Sequence, residues 1–417
     1  MGKTTVPGTQ DAPAMSRAYL MLVACLTAAS MLGTAGLTIL PTLAPAVAQS
    51  YRIPAVWIGY QFSLVAFFMA LALLFLGSAS RRWGPVRVIQ SGIGLIAAAL
   101  LLALVPSLVA LVVASAFMGI GYGVIMPAIS HLMMRFTPRD KLNLIYSVQQ
   151  TGIPLGSILA ASGAPAIAVA TTWQASVGLL ALLVGSLATA LALQRRRWDD
   201  DADPSAAVFQ RPFAGIGIIC ASARLRNLSA SGFCFSGAQF CLGTYTVVAL
   251  VEQLGYGLVA AGMILSLAQL AGLLCRLYCG WLADRTGDSI AVLTWLTVGM
   301  TLSGLASLGL APGWPLLLVC ALFAAHGAAT IGWPGTYLAE VGRLSPPGLV
   351  SVCTSGTLLF TNAGKMLAPL GFALVQAQTG SYSIAFGLIG LLGAIALSAL
   401  LLARRSAIGV AAPPARG

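Results

Sequence analysis

Long runs of mostly apolar residues recur along almost the whole of this chain, and that recurrence leaves few ways for it to fold. A run of about eighteen residues or more is what a helix needs to cross a hydrocarbon core of about 30 Å. An open sheet cannot do the same, because its unpaired backbone edges find no partner in lipid. Twelve such windows are present, at roughly 19–48, 54–79, 85–105, 107–134, 142–166, 172–194, 227–251, 257–282, 289–310, 313–339, 349–375 and 381–403. Of 417 residues only 8% are charged, against about a quarter in soluble chains. The expected fold class is an all-α membrane protein with twelve transmembrane helices.

A net charge of +12 raises nucleic acid as a partner, but the placement of the charges excludes it. Of the 22 Lys and Arg, Arg276 and Lys365 fall inside apolar windows and Arg52 alone falls on one side. The remaining nineteen share the other side, in clusters such as Arg81, Arg82 and Arg87, or Arg195, Arg196 and Arg197. Basic residues mark the cytoplasmic face, so both termini are expected in the cytoplasm. Residues 1–15 are polar, and no cleavable leader is read there. The eight cysteines offer no CxxC pair. Cys275 and Cys279 lie one helical turn apart with no His or acid beside them, a poor metal site, and are read as packing residues.

The longest polar stretch, 195–226, divides the windows six and six. The expected organisation is a cytoplasmic tail at 1–18, a six-helix bundle at 19–194, a linker at 195–226, a second bundle at 227–403 and a tail at 404–417. Asp199, Asp200, Asp201 and Asp203 in the linker are read as solvated partners of the neighbouring arginines. The two bundles repeat small signatures. GSASRRWG at 77–84 answers GWLADRTG at 280–287, Pro154-Leu155-Gly156 answers Pro369-Leu370-Gly371, and Pro127 answers Pro334. Parallel repeats of six helices with a site at their interface are one recurring transporter plan.

The second signature, Gly280-Trp-Leu-Ala-Asp284-Arg285-Thr-Gly287, has the form G-x-x-x-D-R-x-G in a short loop after the eighth window. Glycine permits close approach of the helix end, and an Asp–Arg pair can tie helix ends together. With its degenerate copy after the second window, this makes the chain resemble the major facilitator superfamily over essentially its whole length. The resemblance implies alternating access by a twelve-helix fold, a gating role for Gly280, Asp284, Arg285, Gly287, Gly77, Arg81, Arg82 and Gly84, and no ATP chemistry. The first copy departs from the family: Arg81 stands where the family carries Asp. The arginine that drug–proton antiporters carry before GxG in span four is also missing, at Ser115-Ala-Phe-Met-Gly119-Ile-Gly121. Ser147-Val-Gln-Gln-Thr-Gly-Ile-Pro-Leu-Gly156 is similar to the span-five signature of cyanate-permease-like proteins, which carry Lys where this chain has Gln149. Arg276 and Lys365 resemble the basic pair of the oxalate–formate exchanger, and Arg276 the carboxylate-binding arginine of monocarboxylate transporters.

Two lone positive charges at membrane depth cost about 2.5–3.5 kcal/mol each even on the lenient insertion scale, and arginine cannot shed its proton. With no acid in the same windows, an anionic substrate is the expected counter-ion. Arg276 lies eight residues before Asp284, about 12 Å into the membrane, with Gln269 on its face. The alternative is that it snorkels or binds carbonyls of a neighbouring helix. Lys365 shares a face with Thr361 and Asn362, and Pro369 is expected to break that helix and free a carbonyl. Gln150, the symmetry partner of Lys365, and Gln149 suit either substrate contact or hydrogen bonding between helices. His326 suits a proton relay, a substrate contact or a packed site, and Tyr337 a cavity wall or a core.

The expected function is secondary transport of a small organic anion, a carboxylate, with exchange favoured over proton symport because no window offers a midplane acid. The alternatives are a drug or solute–proton antiporter of the same fold and a membrane sensor or scaffold. No nucleophile–base pair, metal cluster or cofactor motif points to an enzyme. The expected setting is a monomer in the inner-membrane bilayer, with protons the one further candidate partner.

Overall fold

The computed structural model describes residues 17–76, 79–137, 145, 148–200, 202–205, 214–346 and 350–408. Gly77 and Ser147, both in the signatures above, lie outside the described residues, as does Asp201 of the linker. Among the described residues are twelve helical spans long and apolar enough to cross a membrane. In order they are Tyr19–Thr42, Ala55–Leu76, Pro85–Leu102, Leu108–Met133, Val148–Ala170 and Trp173–Leu193, then Ala223–Glu252, Leu258–Thr286, Ser289–Ser307, Leu316–Leu344, Gly356–Thr379 and Tyr382–Arg405. An even number of spans returns the chain to the face where it began, termed here the terminal face.

The two sets of six pack alike. In the first, span one packs on spans five and six, span two on four, and span three on four and six; in the second, seven packs on eleven and twelve, eight on ten, and nine on ten and twelve. Across the interface, span two meets eleven and span five meets eight, again as equivalents, while one meets seven. Small residues permit these approaches. A Cβ on Gly121 would meet the carbonyl of Gly92 in span three, and one on Gly119 the carbonyl of Val65 in span two. Gly327 of span ten lies in the same way against the carbonyl of Ala268 in span eight.

The faces differ. Away from the terminal face, Gly262 of span eight sits against the carbonyl of Ala161 and the ring of Pro165 in span five, and Gly59 lies under the hydroxyl of Tyr245. Toward the terminal face, span four and the last part of span ten make their main contacts within their own halves. The halves are therefore closely packed against each other on the far face.

Two helices depart from the sequence expectation. Span eleven is a continuous helix, Val350–Thr379, with Pro369 inside it, and the Pro369 carbonyl accepts the Tyr245 hydroxyl at 2.7 Å. The expected break there is absent. The break lies in span ten, where the helix Leu316–Ile331 ends and a second, Pro334–Leu344, begins. Pro334 opens the second segment and Gly332-Trp333 makes the joint. Span five carries a π-helical turn at Leu159–Gly163, a feature that tends to mark functional positions. The helix of span six continues to Trp198 and that of span seven starts at Ala223, both inside the stretch read as linker.

Candidate functional site

The joint in span ten and the glycine seam beside it explain how Arg276 is accommodated. Gly272, one turn before it, is packed against Ile331 and the carbonyl of Gly327. Span eight thus runs close along span ten until the joint, where backbone carbonyls lose their helical partners. There an Nη of Arg276 donates to the Ile331 carbonyl at 3.3 Å. That is long for such a bond, and the buried Nε has no partner among the described residues. A guanidinium offers five N–H donors, so this one remains under-used.

Arg276 lines a narrow cavity between the halves, with about 50 Å³ of free space. From the second half come Gln239, Phe240, Gly243, Thr244, Gln269 and Ile331. From the first come the hydroxyls of Thr34, Thr38, Tyr122 and Ser157, with Phe62 and Pro154. Thr34 and Tyr122 bond to each other at 3.0 Å, and Gln239 accepts the Trp333 indole N–H at 3.1 Å. Among the described residues no carboxylate lines this cavity. Its chemistry is therefore one fixed cation, several neutral hydrogen-bonding groups, and a wall of Phe62 and Phe240 whose rings lie 5.1 Å apart.

Of the residues singled out in the sequence, Arg276 and Gln269 are brought together here. Lys365 is not among the lining residues; its Nζ sits 5.2 Å from the centre of the ring of Phe240, which is one of them. Gln150 does not line the cavity. Gln149 is buried and donates to Ser30 Oγ at 2.6 Å, tying span five to span one. Thr361 bonds back to the Leu358 carbonyl at 2.9 Å, and Asn362 is buried with its Oδ1 unpartnered. His326 lies wholly buried among Phe323 and Phe386, with Nε2 2.7 Å from Ser307 Oγ. Tyr337 is buried edge-on to Trp333, 5.1 Å between ring centres. These residues sit in helix–helix contacts rather than at the lining. The sequence reading missed Thr34, Thr38, Ser157 and Thr244. Their one available signal was small hydroxyls on the spans that face across the interface.

At the terminal face, Asp284 and Arg285 of the intact signature are exposed, and Arg285 stacks over Trp281 at 5.2 Å. Gly287 adopts the left-handed φ of 68° that ends span eight. In the degenerate copy Gly84 has φ 87°, and a Cβ there would collide with the Asp199 carboxylate. That carboxylate accepts the N–H groups of Val86 at 2.7 Å and Arg87 at 3.0 Å. The Asp203 N–H donates to the Arg81 carbonyl at 2.8 Å.

Twelve spans in two like halves around a cavity with one fixed cation define a membrane carrier in architecture. The sequence agrees: residues 23–369 match the model of the Major Facilitator Superfamily. The chain belongs to that superfamily, whose members are transporters and not enzymes. A gentisate transporter of Corynebacterium glutamicum is 25% identical over 373 residues, covering 86% of this chain and 82% of the relative. The human monocarboxylate transporter 11 is 27% identical over 341 residues, covering 75% and 68%. Among solved structures, a bacterial homologue of human Spinster, inward-facing and occupied, superposes with TM-score 0.73 at 14% identity, covering 96% of this chain and all of that one. A POT family transporter in complex with 5-aminolevulinic acid gives 0.74 at 15% identity, covering 94% and 96%. At these identities the structures speak to the fold alone.

Proposed function

We propose that the chain carries a small organic carboxylate across the membrane by alternating access, with Arg276 holding the carboxylate. The observation that carries this is a guanidinium that lines the interdomain cavity and, among the described residues, has no acid on the lining beside it and one long bond, to the Ile331 carbonyl. A planar carboxylate accepts two parallel N–H bonds from such a fork and would take it from the neutral carbonyl. The Ile331 carbonyl then loses its partner at the joint of span ten, so filling the site and moving that joint become linked. Phe62, Phe240 and the Tyr122 ring suit a substrate body that is apolar or aromatic. The names of the two curated relatives, for gentisate and for monocarboxylates, point to the same chemistry.

The basic clusters support a cytoplasmic terminal face in an inner membrane, and the close packing of the halves on the far face supports an inward-facing arrangement. Cysteines placed at Arg52 and Pro204 should be labelled from opposite sides. The empty site carries a fixed charge through a low-dielectric barrier, and an anion relieves that cost. Loaded carriers therefore reorient faster than empty ones, and exchange dominates over proton symport.

The decisive experiment is a thermal-shift series on the purified protein with benzoate-type and aliphatic monocarboxylates beside their neutral amides. The carboxylates should stabilise it and the amides should not. Equal shifts for both would remove the anion reading.

A further inference from the structure

A second concavity has nothing to do with the space between the halves. Its lining comes from spans two, three and four and the short helix Ala79–Trp83, all of the first half, and it measures about 300 Å³. Arg87 and Trp83 stand at its terminal end, and Leu95 and Ile120 at the other. Eight residues of helix separate Arg87 from Leu95, about 12 Å. The crevice thus runs from the level where span three begins to near the middle of the bilayer. At Gly92, packed against the Gly121 carbonyl, span three adds no side chain to fill it. Apart from Arg87 and Ser91, its lining is apolar.

The mouth is cationic. Arg81, Arg82 and Arg87 are exposed there, and none forms an ion pair among the described residues. Three acids lie close by and each is engaged: Asp199 with the Val86 and Arg87 N–H groups, Asp200 with Arg135 at 2.8 Å, and Asp203, whose own N–H reaches the Arg81 carbonyl, with the Ser205 N–H at 2.9 Å. Trp83 is 45% exposed, a side chain that favours the headgroup level of a bilayer. A charged end at headgroup depth and an apolar trough reaching the hydrocarbon middle match one phosphate and one acyl chain.

We propose that this crevice binds an anionic phospholipid of the terminal-face leaflet, its phosphate on Arg87 and an acyl chain between Ser91 and Ile120. The site is independent of the carboxylate cavity. It gives the degenerate signature a role that its missing acid does not: Arg81 turns a locus with an acid into one that attracts an anion.

Native mass spectrometry of the purified full chain tests this with three probes: phosphatidylglycerol, phosphatidylcholine with the same acyl chains, and glycerol 3-phosphate. Phosphatidylglycerol should be retained about fivefold better than phosphatidylcholine, the worth of one basic residue near a membrane surface. Arg87→Gln, at an exposed side chain, should abolish that preference. Ser91→Phe, which fills the trough, should weaken both lipids, and Arg276→Lys should change neither. Equal retention of the two lipids, or a preference that survives Arg87→Gln, would overturn the site. Binding of glycerol 3-phosphate as strong as that of the lipid would overturn the lipid reading in favour of a free phosphate.

Discussion

Span three and span nine are symmetry equivalents, and each begins just after a copy of the same loop signature, yet their first turns are secured differently. Span nine is capped from within that loop: Asp288 accepts the Ala291 N–H at 2.9 Å and pairs with Arg404 at the end of span twelve, 3.2 Å away. Span three begins with Pro85, and its cap arrives from 113 residues downstream, where Asp199 at the end of span six accepts two N–H groups. The same contact between a helix start and the sixth helix of its half is made with the acid and its position exchanged. What is absent at Pro85, the counterpart of the capping Asp288, is thus supplied from elsewhere in the fold. The helix N-terminus still attracts a carboxylate, and the linker supplies it. A similar asymmetry runs through the cavity. The second half contributes the fixed cation and the jointed helix, while the first contributes hydroxyls and an aromatic wall.

The largest test of that division is Arg276→Lys. A point charge cannot reproduce a planar fork, and a hydrogen bond to a charged group is worth about 1.5–3 kcal/mol. Carboxylate affinity should fall about ten- to a hundredfold, read by calorimetry on protein of unchanged helicity. Near-normal affinity would return Arg276 to a purely structural bond with Ile331. Removing a hydroxyl from the other wall by Tyr122→Phe should cost less, about 0.5–1.5 kcal/mol. If it cost more, the first half would be the principal binder.

Next come the caps. Asp199→Ala and Asp288→Ala should each destabilise by about 0.5–2 kcal/mol, measured as a lowered melting temperature with carboxylate binding retained. Equal losses would confirm that the two acids do the same work from different places. A silent Asp199→Ala would mean that the linker merely rests there. Lys365→Gln is expected to be of similar size. Its ammonium faces the Phe240 ring, an arrangement worth about 0.5–2 kcal/mol, and the loss should appear in stability more than in affinity. Selective loss of dicarboxylates in that variant would place Lys365 at the substrate after all.

These contrasts also mark what could be read in the chain. Span number and near-boundaries follow from apolar length alone, a one-dimensional property, and all twelve were legible. Facing was not. A span apolar on every side has no polar stripe to say which way a lone Gln or His points. His326, Gln149 and Asn362 therefore looked as available as Gln269, which does line the cavity. Arg276 was legible because a permanent charge has few tolerable places in a membrane. Thr38 was not, because a hydroxyl that bonds the Thr34 carbonyl at 2.9 Å leaves no sign of being needed elsewhere. Pro369 was over-read as a break, whereas the true joint joins Pro334 to Gly332. The Asp199 cap spans too long a separation for any local pattern to reveal it.

The smallest expected effect concerns the neighbouring linker acid and its dependence on pH. Arg135 donates to Asp200 at 2.8 Å while its guanidinium lies 4.8 Å from the Phe136 ring, and this bond holds the Asp200 carboxyl below its ordinary value. A carboxyl depressed in the folded state stabilises it above the unfolded pKa, about 3.9, and loses that contribution as pH falls through the folded value. From pH 8 down to about 5 both states are ionised, so the tie neither gains nor loses strength. The melting-temperature difference between the native protein and Asp200→Asn should therefore stay flat across that range and shrink only in stronger acid. It should also be slight, because the pair is exposed and screened. A difference that closes already between pH 7 and 5 would show that the tie depends on some other titrating group. The linker would then be a pH-sensitive element, unlike its counterpart around Asp288 and Arg404.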